Sequence, residues 1–146
     1  MNAPGLERNE QVQERREDAA CAMGRRWIEA FNRRDADALI VLADAEIAFH
    51  PTPLAGARRT YHGHEGLRSW LADVAATGLR HTVEATAIRR SSSGELVVSG
   101  EIFHDGEVVS PFSMRFRLRD GRFVEAWAYL SDEALLNLLG RLDPDQ

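Results

Sequence analysis

At 146 residues the chain is one domain long and buries roughly 70% of its unfolded surface on folding, so it needs neither disulfide nor metal staples. Its 44% hydrophobic and 28% charged content excludes wholesale disorder and fibrous repeats, and a net charge of −5 disfavours nucleic acid as a partner. All 18 basic residues are arginines, which removes every mechanism that depends on a lysine, from Schiff bases to the lysine of a phosphate-binding loop.

The one cysteine, Cys21, can form no intrachain disulfide and favours a reducing compartment. Apolar runs fall short of the ~18 residues needed to span a membrane. The opening stretch MNAPGLERNEQVQERRED lacks the apolar centre of a signal peptide. A cytoplasmic protein without a membrane partner is expected. Residues 1–9 read as a flexible tail, 10–140 as a single domain and 141–146 as a C-terminal tail.

From Glu10 the pattern is helical to about Arg34, with Ala20, Met23, Trp27 and Phe31 on one stripe. Asp35 suits the N-cap of a short helix over 36–43. Glu46 to His50 reads as a strand stopped by Pro51, because a residue before proline is pushed to extended geometry. After a loop over 52–62, Gly63 opens a helix whose Leu67, Trp70, Leu71 and Val74 form one face, ended by Gly78. Strands follow at about 80–90, 95–104, 107–119 and 122–130, with Asp105-Gly106 and Asp120-Gly121 as hairpin turns. Ser131 then caps a leucine-rich helix ending before Gly140. The order α-α-β-α-β-β-β-β-α, without internal repeats, predicts an α+β fold with an antiparallel meander.

Alternation sorts the strand faces. Phe112, Met114, Phe116 and Leu118 look inward, opposite Ser113, Arg115, Arg117 and Arg119. Val98, Gly100, Ile102 and His104 share the inner face, as do Val124, Ala126, Ala128 and Leu130. Gly100, Ala126 and Ala128 are too small to fill the space beneath a helix layer, which leaves either a pocket or large partners such as Trp27, Phe31 and Trp70 opposite them. Outward, Phe103, Trp127 and Tyr129 predict a homodimer through that face. Glu101 and Glu125 are expected to form cross-strand ion pairs with Arg115 and Arg117.

The stretch Arg26-Trp27-Ile28-Glu29-Ala30-Phe31-Asn32-Arg33-Arg34-Asp35, then Asp37-Ala38-Leu39, Leu42-Ala43-Asp44, His50-Pro51, Tyr61-His62-Gly63-His64-Glu65-Gly66-Leu67 and Ala128-Tyr129-Leu130-Ser131, together resemble the nuclear transport factor 2-like superfamily. Within it the chain is most similar to SnoaL-like polyketide cyclases and ketosteroid isomerases, over roughly residues 20–135. The resemblance implies a cystatin-like roll, a curved antiparallel sheet wrapped around the long N-terminal helix. It also implies a conical cavity and a homodimer pairing the convex faces. By the same resemblance His50 falls at the general-base carboxylate of the isomerases, Trp27 at their oxyanion-binding tyrosine and Met114 at their protonated aspartate. Methionine donates no hydrogen bond and an indole only one, so steroid isomerisation is disfavoured.

His50 is thus the candidate catalytic residue, a neutral-pH base expected to point into the cavity with Ala48, opposite Ile47 and Phe49. A histidine of a passive pocket would read the same. Substrate contacts are expected from Trp27, Phe31, Tyr61, Trp70, Ile102, His104, Met114, Phe116 and Ala128. Among these, Trp27 is a core aromatic or a donor to ligand, and His104 a contact or a rim group. His62 and His64 could join a metal with Glu65 or His50, but they lie on a loop running into a helix. No metal or cofactor is expected, and Cys21 reads as inert packing. The leading function is an acid–base enzyme of isomerase, cyclase or hydrolase type acting on a small hydrophobic carbonyl compound, with His50 as base. The alternative is a non-catalytic ligand-binding or dimerisation module.

Overall fold

The computed structural model of the chain describes residues 19–51 and 60–129. The expected C-terminal helix and the charged segment before residue 19 lie outside them.

Helix α1, residues 19–32, turns Ala20, Trp27, Ile28, Ala30 and Phe31 into the core, the stripe its three- and four-residue spacing requires. Gly24 lets it approach the sheet closely, since a Cβ there would lie 3.0 Å from Leu96 Cδ2. Arg34 closes the helix with φ 54, and the Asp35 N–H reaches back to the Ala30 carbonyl at 2.9 Å. Helix α2 spans Ala36–Leu42, and the Asp35 carboxylate accepts from Ala38 N at 3.1 Å as its N-cap. Helix α3 spans Gly63–Ala76 and buries Leu67, Leu71 and Val74.

The strands are β1 (Ala43–His50), β2 (Tyr61–His62), β3 (Thr82–Arg90), β4 (Leu96–His104), β5 (Glu107–Arg119) and β6 (Arg122–Tyr129). They form one curved sheet in the order β2-β1-β6-β5-β4-β3. Strands β3 to β6 are the expected antiparallel meander. The left-handed Asp105-Gly106 and Asp120-Gly121 pairs turn two of its hairpins. The sheet as a whole is mixed, however, because β1 runs parallel to β6. The connection from β1 through α3 and the meander is long enough to bring β6 back in the same direction.

Two packing details depart from simple alternation. The β5–β6 register shifts between Arg117 and Leu118, and this bulge turns Phe123 inward beside the also-buried Val124. Gly100 opens no pocket: a Cβ there would meet the Glu84 carbonyl oxygen at 2.0 Å and the Phe112 ring at 2.6 Å. It is small because the neighbouring strand, irregular between Ala85 and Ala87, crowds it. No helix among the described residues is long and apolar enough to cross a membrane.

Candidate functional site

Between α1, α3 and the inner face of the sheet lies a cavity of about 90 Å³. One water needs only about 10–15 Å³, so there is room for a small molecule. Rings build much of its wall. Trp27 stacks on Trp70 with centroids 6.3 Å apart, and Trp70 on Phe31 at 5.2 Å. Phe49 meets Trp70 edge-on at 4.3 Å. Ile102, Met114 and Ala128 line the sheet side, with Ala128 paired to Met114 across β5 and β6. Of the expected substrate contacts, Trp27, Phe31, Trp70, Ile102, Met114 and Ala128 therefore line one cavity.

Three others lie elsewhere. Phe116 is fully buried beneath Trp27, 5.4 Å ring to ring, and stacks on Phe123 at 4.3 Å. It supports the wall without lining it. Tyr61 is buried on short β2, and its hydroxyl donates to Asp73 of α3. His104 stands behind the lining residues at the end of β4, its Nδ1 3.2 Å from Asp105 Oδ2 without the alignment of a hydrogen bond.

His50 does not enter the cavity. Ile47 and Phe49 are the buried residues of β1, and the two-residue period of a strand then sends Ala48 and His50 to the outer face. There His50 Nε2 lies 2.9 Å from Glu125 Oε2, its Nδ1 lies 3.1 Å from the Thr60 hydroxyl, and its ring stacks on Trp127 at 5.6 Å. The expected cavity-facing orientation of His50 is therefore reversed, because the buried Ile47 and Phe49 set the phase of β1.

The rest of the outer face is partly as expected. Arg117 pairs with Glu125 at 3.0 Å, whereas Arg115 pairs with Glu95 at 3.6 Å and lies 4.3 Å over the Trp127 ring. Glu101 reaches neither arginine, since the register sets it between Glu84 and Pro111. His62 occupies the N-cap of α3 without a side-chain cap bond, and His64 Nε2 donates to the Ala43 carbonyl at 3.0 Å. No group of three metal-ligating side chains comes together among the described residues.

Among the described lining residues the one imidazole is that of His81, which no motif in the sequence singles out. It is 7% exposed, lines the cavity beside Val83, and its ring centroid lies 5.3 Å from that of Phe31. Its Nδ1 has no hydrogen-bond partner among the described residues, and neither has Trp27 Nε1. Burial, reinforced by the charges of Arg34 and His104, pushes the His81 pKa down to about 4, so the imidazole is neutral near neutral pH. Its place two residues before the buried Val83 is the sequence signal that points to it.

A curved α+β sheet folded over a long helix, with an apolar cavity between them, places the chain among the nuclear transport factor 2-like and cystatin-like folds. More narrowly, the SnoaL-like domain profile matches residues 24–126, and the chain belongs to that family. No curated protein matches the sequence. Among solved structures, Bal32a from a soil-derived mobile gene cassette superposes with a TM-score of 0.68 at 17% identity, covering 83% of this chain and 95% of its own. A Catenulispora acidiphila protein with a ketosteroid isomerase-like fold, in complex with trimethylamine, gives 0.63 at 20% identity, over 81% and 92% of the two chains. TerC, co-crystallised with polyporic acid, gives 0.66 at 19% identity, over 81% and 95%. Likeness at this identity establishes the fold alone.

Proposed function

We propose that this protein binds a small apolar molecule in the cavity between α1, α3 and the sheet. The observation that carries this reading is the continuous ring wall of Trp27, Trp70 and Phe31, with Phe49 edge-on. Burying apolar ligand surface against it is favourable at roughly 25 cal/mol per Å². The trimethylamine and polyporic acid found with two of the similar structures do not transfer to this chain, so the class is argued from this wall.

Acid–base turnover of the bound molecule is the second reading, and His81 favours it. A neutral imidazole in the wall of a cavity can take a proton from a ligand, although a pKa near 4 makes it a weak base. His50 is set apart from such chemistry by the sheet itself.

The three tryptophans test the binding reading, since Trp27 and Trp70 line the cavity and Trp127 lies on the outer face. Addition of toluene is expected to shift the indole N–H resonances of Trp27 and Trp70 and to leave that of Trp127 in place. Equal shifts at all three, or none, would remove the reading.

The proposal includes a homodimer through the outer face, supported by the exposure of Tyr129 and Val108, 47% and 49%. Light scattering at micromolar concentration is expected to give twice the chain mass. The mass of a single chain would overturn this part.

A further inference from the structure

Resting on the reading of the cavity as a ligand site, the geometry points to His81 as a recognition residue for an uncharged oxygen function, a hydroxyl or carbonyl, carried by an otherwise apolar ring-sized ligand. Three observations carry this. First, His81 Nδ1 is buried and unpartnered among the described residues, while its residue lines the cavity. Buried polar groups are almost always hydrogen-bonded, so a ligand oxygen that reaches the His81 ring from the cavity meets an imidazole not fully committed to protein partners.

Second, the ligand's polar atom is uncharged. Among the described lining residues there is no carboxylate and no arginine. The nearby cation Arg34 is not itself a lining residue: its guanidinium lies 4.1 Å over the Phe31 ring and donates to the Phe31 carbonyl at 2.7 Å and the His81 carbonyl at 2.8 Å. A carboxylate or ammonium group entering the cavity would lose its water without gaining a counter-ion, which costs far more than desolvating a hydroxyl that finds one hydrogen bond.

Third, the protein itself holds the imidazole in the charge state that suits such a head group. The β3–β4 register pairs Thr82 with Phe103 and Val83 with Ile102, so His81 immediately precedes the strand that pairs with the end of β4, where His104 lies. Burial first, then the nearby Arg34 and His104, oppose protonation of His81. A neutral imidazole donates or accepts a hydrogen bond according to its tautomer, so it can serve a hydroxyl or a carbonyl equally.

The test compares toluene and phenol, near-isosteric single rings, and benzoate, whose head group is charged, on the full chain and on His81→Phe, by calorimetry at neutral pH. Because phenol and toluene differ in their own hydration, the informative quantity is the ratio of their affinities. That ratio is expected to fall about 3- to 10-fold in His81→Phe, and benzoate is expected not to compete with phenol on the wild type. A ratio unchanged by the substitution, or benzoate binding as tightly as phenol, would overturn the inference while toluene binding leaves the cavity reading standing. Absence of toluene binding overturns both. Should His81→Phe fail to fold, the wild type still decides. The His81 ring-nitrogen resonances are expected to move with phenol and not with toluene, and equal response to the two ligands counts against the assignment.

Discussion

His50 Nε2 and Glu125 Oε2 lie 2.9 Å apart across the parallel pair β1 and β6, and they do so on the face of the sheet turned away from the cavity. Arg117 completes the cluster from β5, 3.0 Å from the other Glu125 oxygen. The histidine next to the proline is therefore a strap between β1 and β6, strands brought together from distant parts of the chain. It also stacks on Trp127, which carries Arg115 over its ring.

Replacing His50 by alanine is expected to lower stability by at most about 1 kcal/mol, the usual ceiling for a partly exposed ion pair, and to leave toluene affinity unchanged. Denaturant titration and calorimetry on the same variant check the two halves. Loss of ligand affinity with unchanged stability would return His50 to the binding machinery.

Glu125 sets an acid limb. The hydrogen bond from His50, followed by the one from Arg117, holds its carboxyl below the ordinary value of 4.5. A carboxylate depressed in the folded state binds fewer protons than in the unfolded chain, so its contribution is present above that ordinary value and is lost as pH falls through the lower folded one. Glu125→Gln is expected to flatten the slope of melting temperature against pH in that window. An identical acid slope in the variant would show that the cluster contributes no linkage.

His81 acts with the opposite chemistry and the same direction. Its pKa falls from 6.5 to about 4 on folding, so between those values the unfolded chain binds the extra proton and stability rises with pH. The change across the window is on the order of 3 kcal/mol, at about 1.4 kcal/mol per pH unit. Thermal melts of His81→Phe are expected to lose this slope above the range in which Glu125 titrates. Retention of the slope would place the titrating group elsewhere.

Gly100→Ala is expected to destabilise the protein by more than about 2 kcal/mol, since the new methyl group would need the Glu84 carbonyl, 2.0 Å away, to move. Ala126→Gly on the neighbouring strand pair is a control, because it only removes atoms from a fully buried position and costs on the order of 1 kcal/mol. Denaturant melts rank the two, and a Gly100→Ala cost below that of the control would show that β3 yields easily.

Local and periodic features were legible without a structure. The stripe of Trp27 and Phe31, the Asp35 cap, the face of α3 and the two Asp-Gly hairpins depend on residues within a turn or a strand of one another, and their propensities agree. The order of elements was enough to resemble the family, and the inward run Met114, Phe116 on β5 followed from alternation alone. Which way His50 points, and that His81 occupies the cavity, were decided only in three dimensions. A one-residue error of phase sends a strand's every side chain to the opposite face, and the phase of β1 is set by Ile47 and Phe49 packing beneath α1 and α3. The bulge that turns Phe123 inward, the parallel docking of β1 on β6 and the crowding of Gly100 by Glu84 all join residues far apart in sequence. Their positions depend on the packing of whole layers, a cooperative quantity that no local pattern encodes.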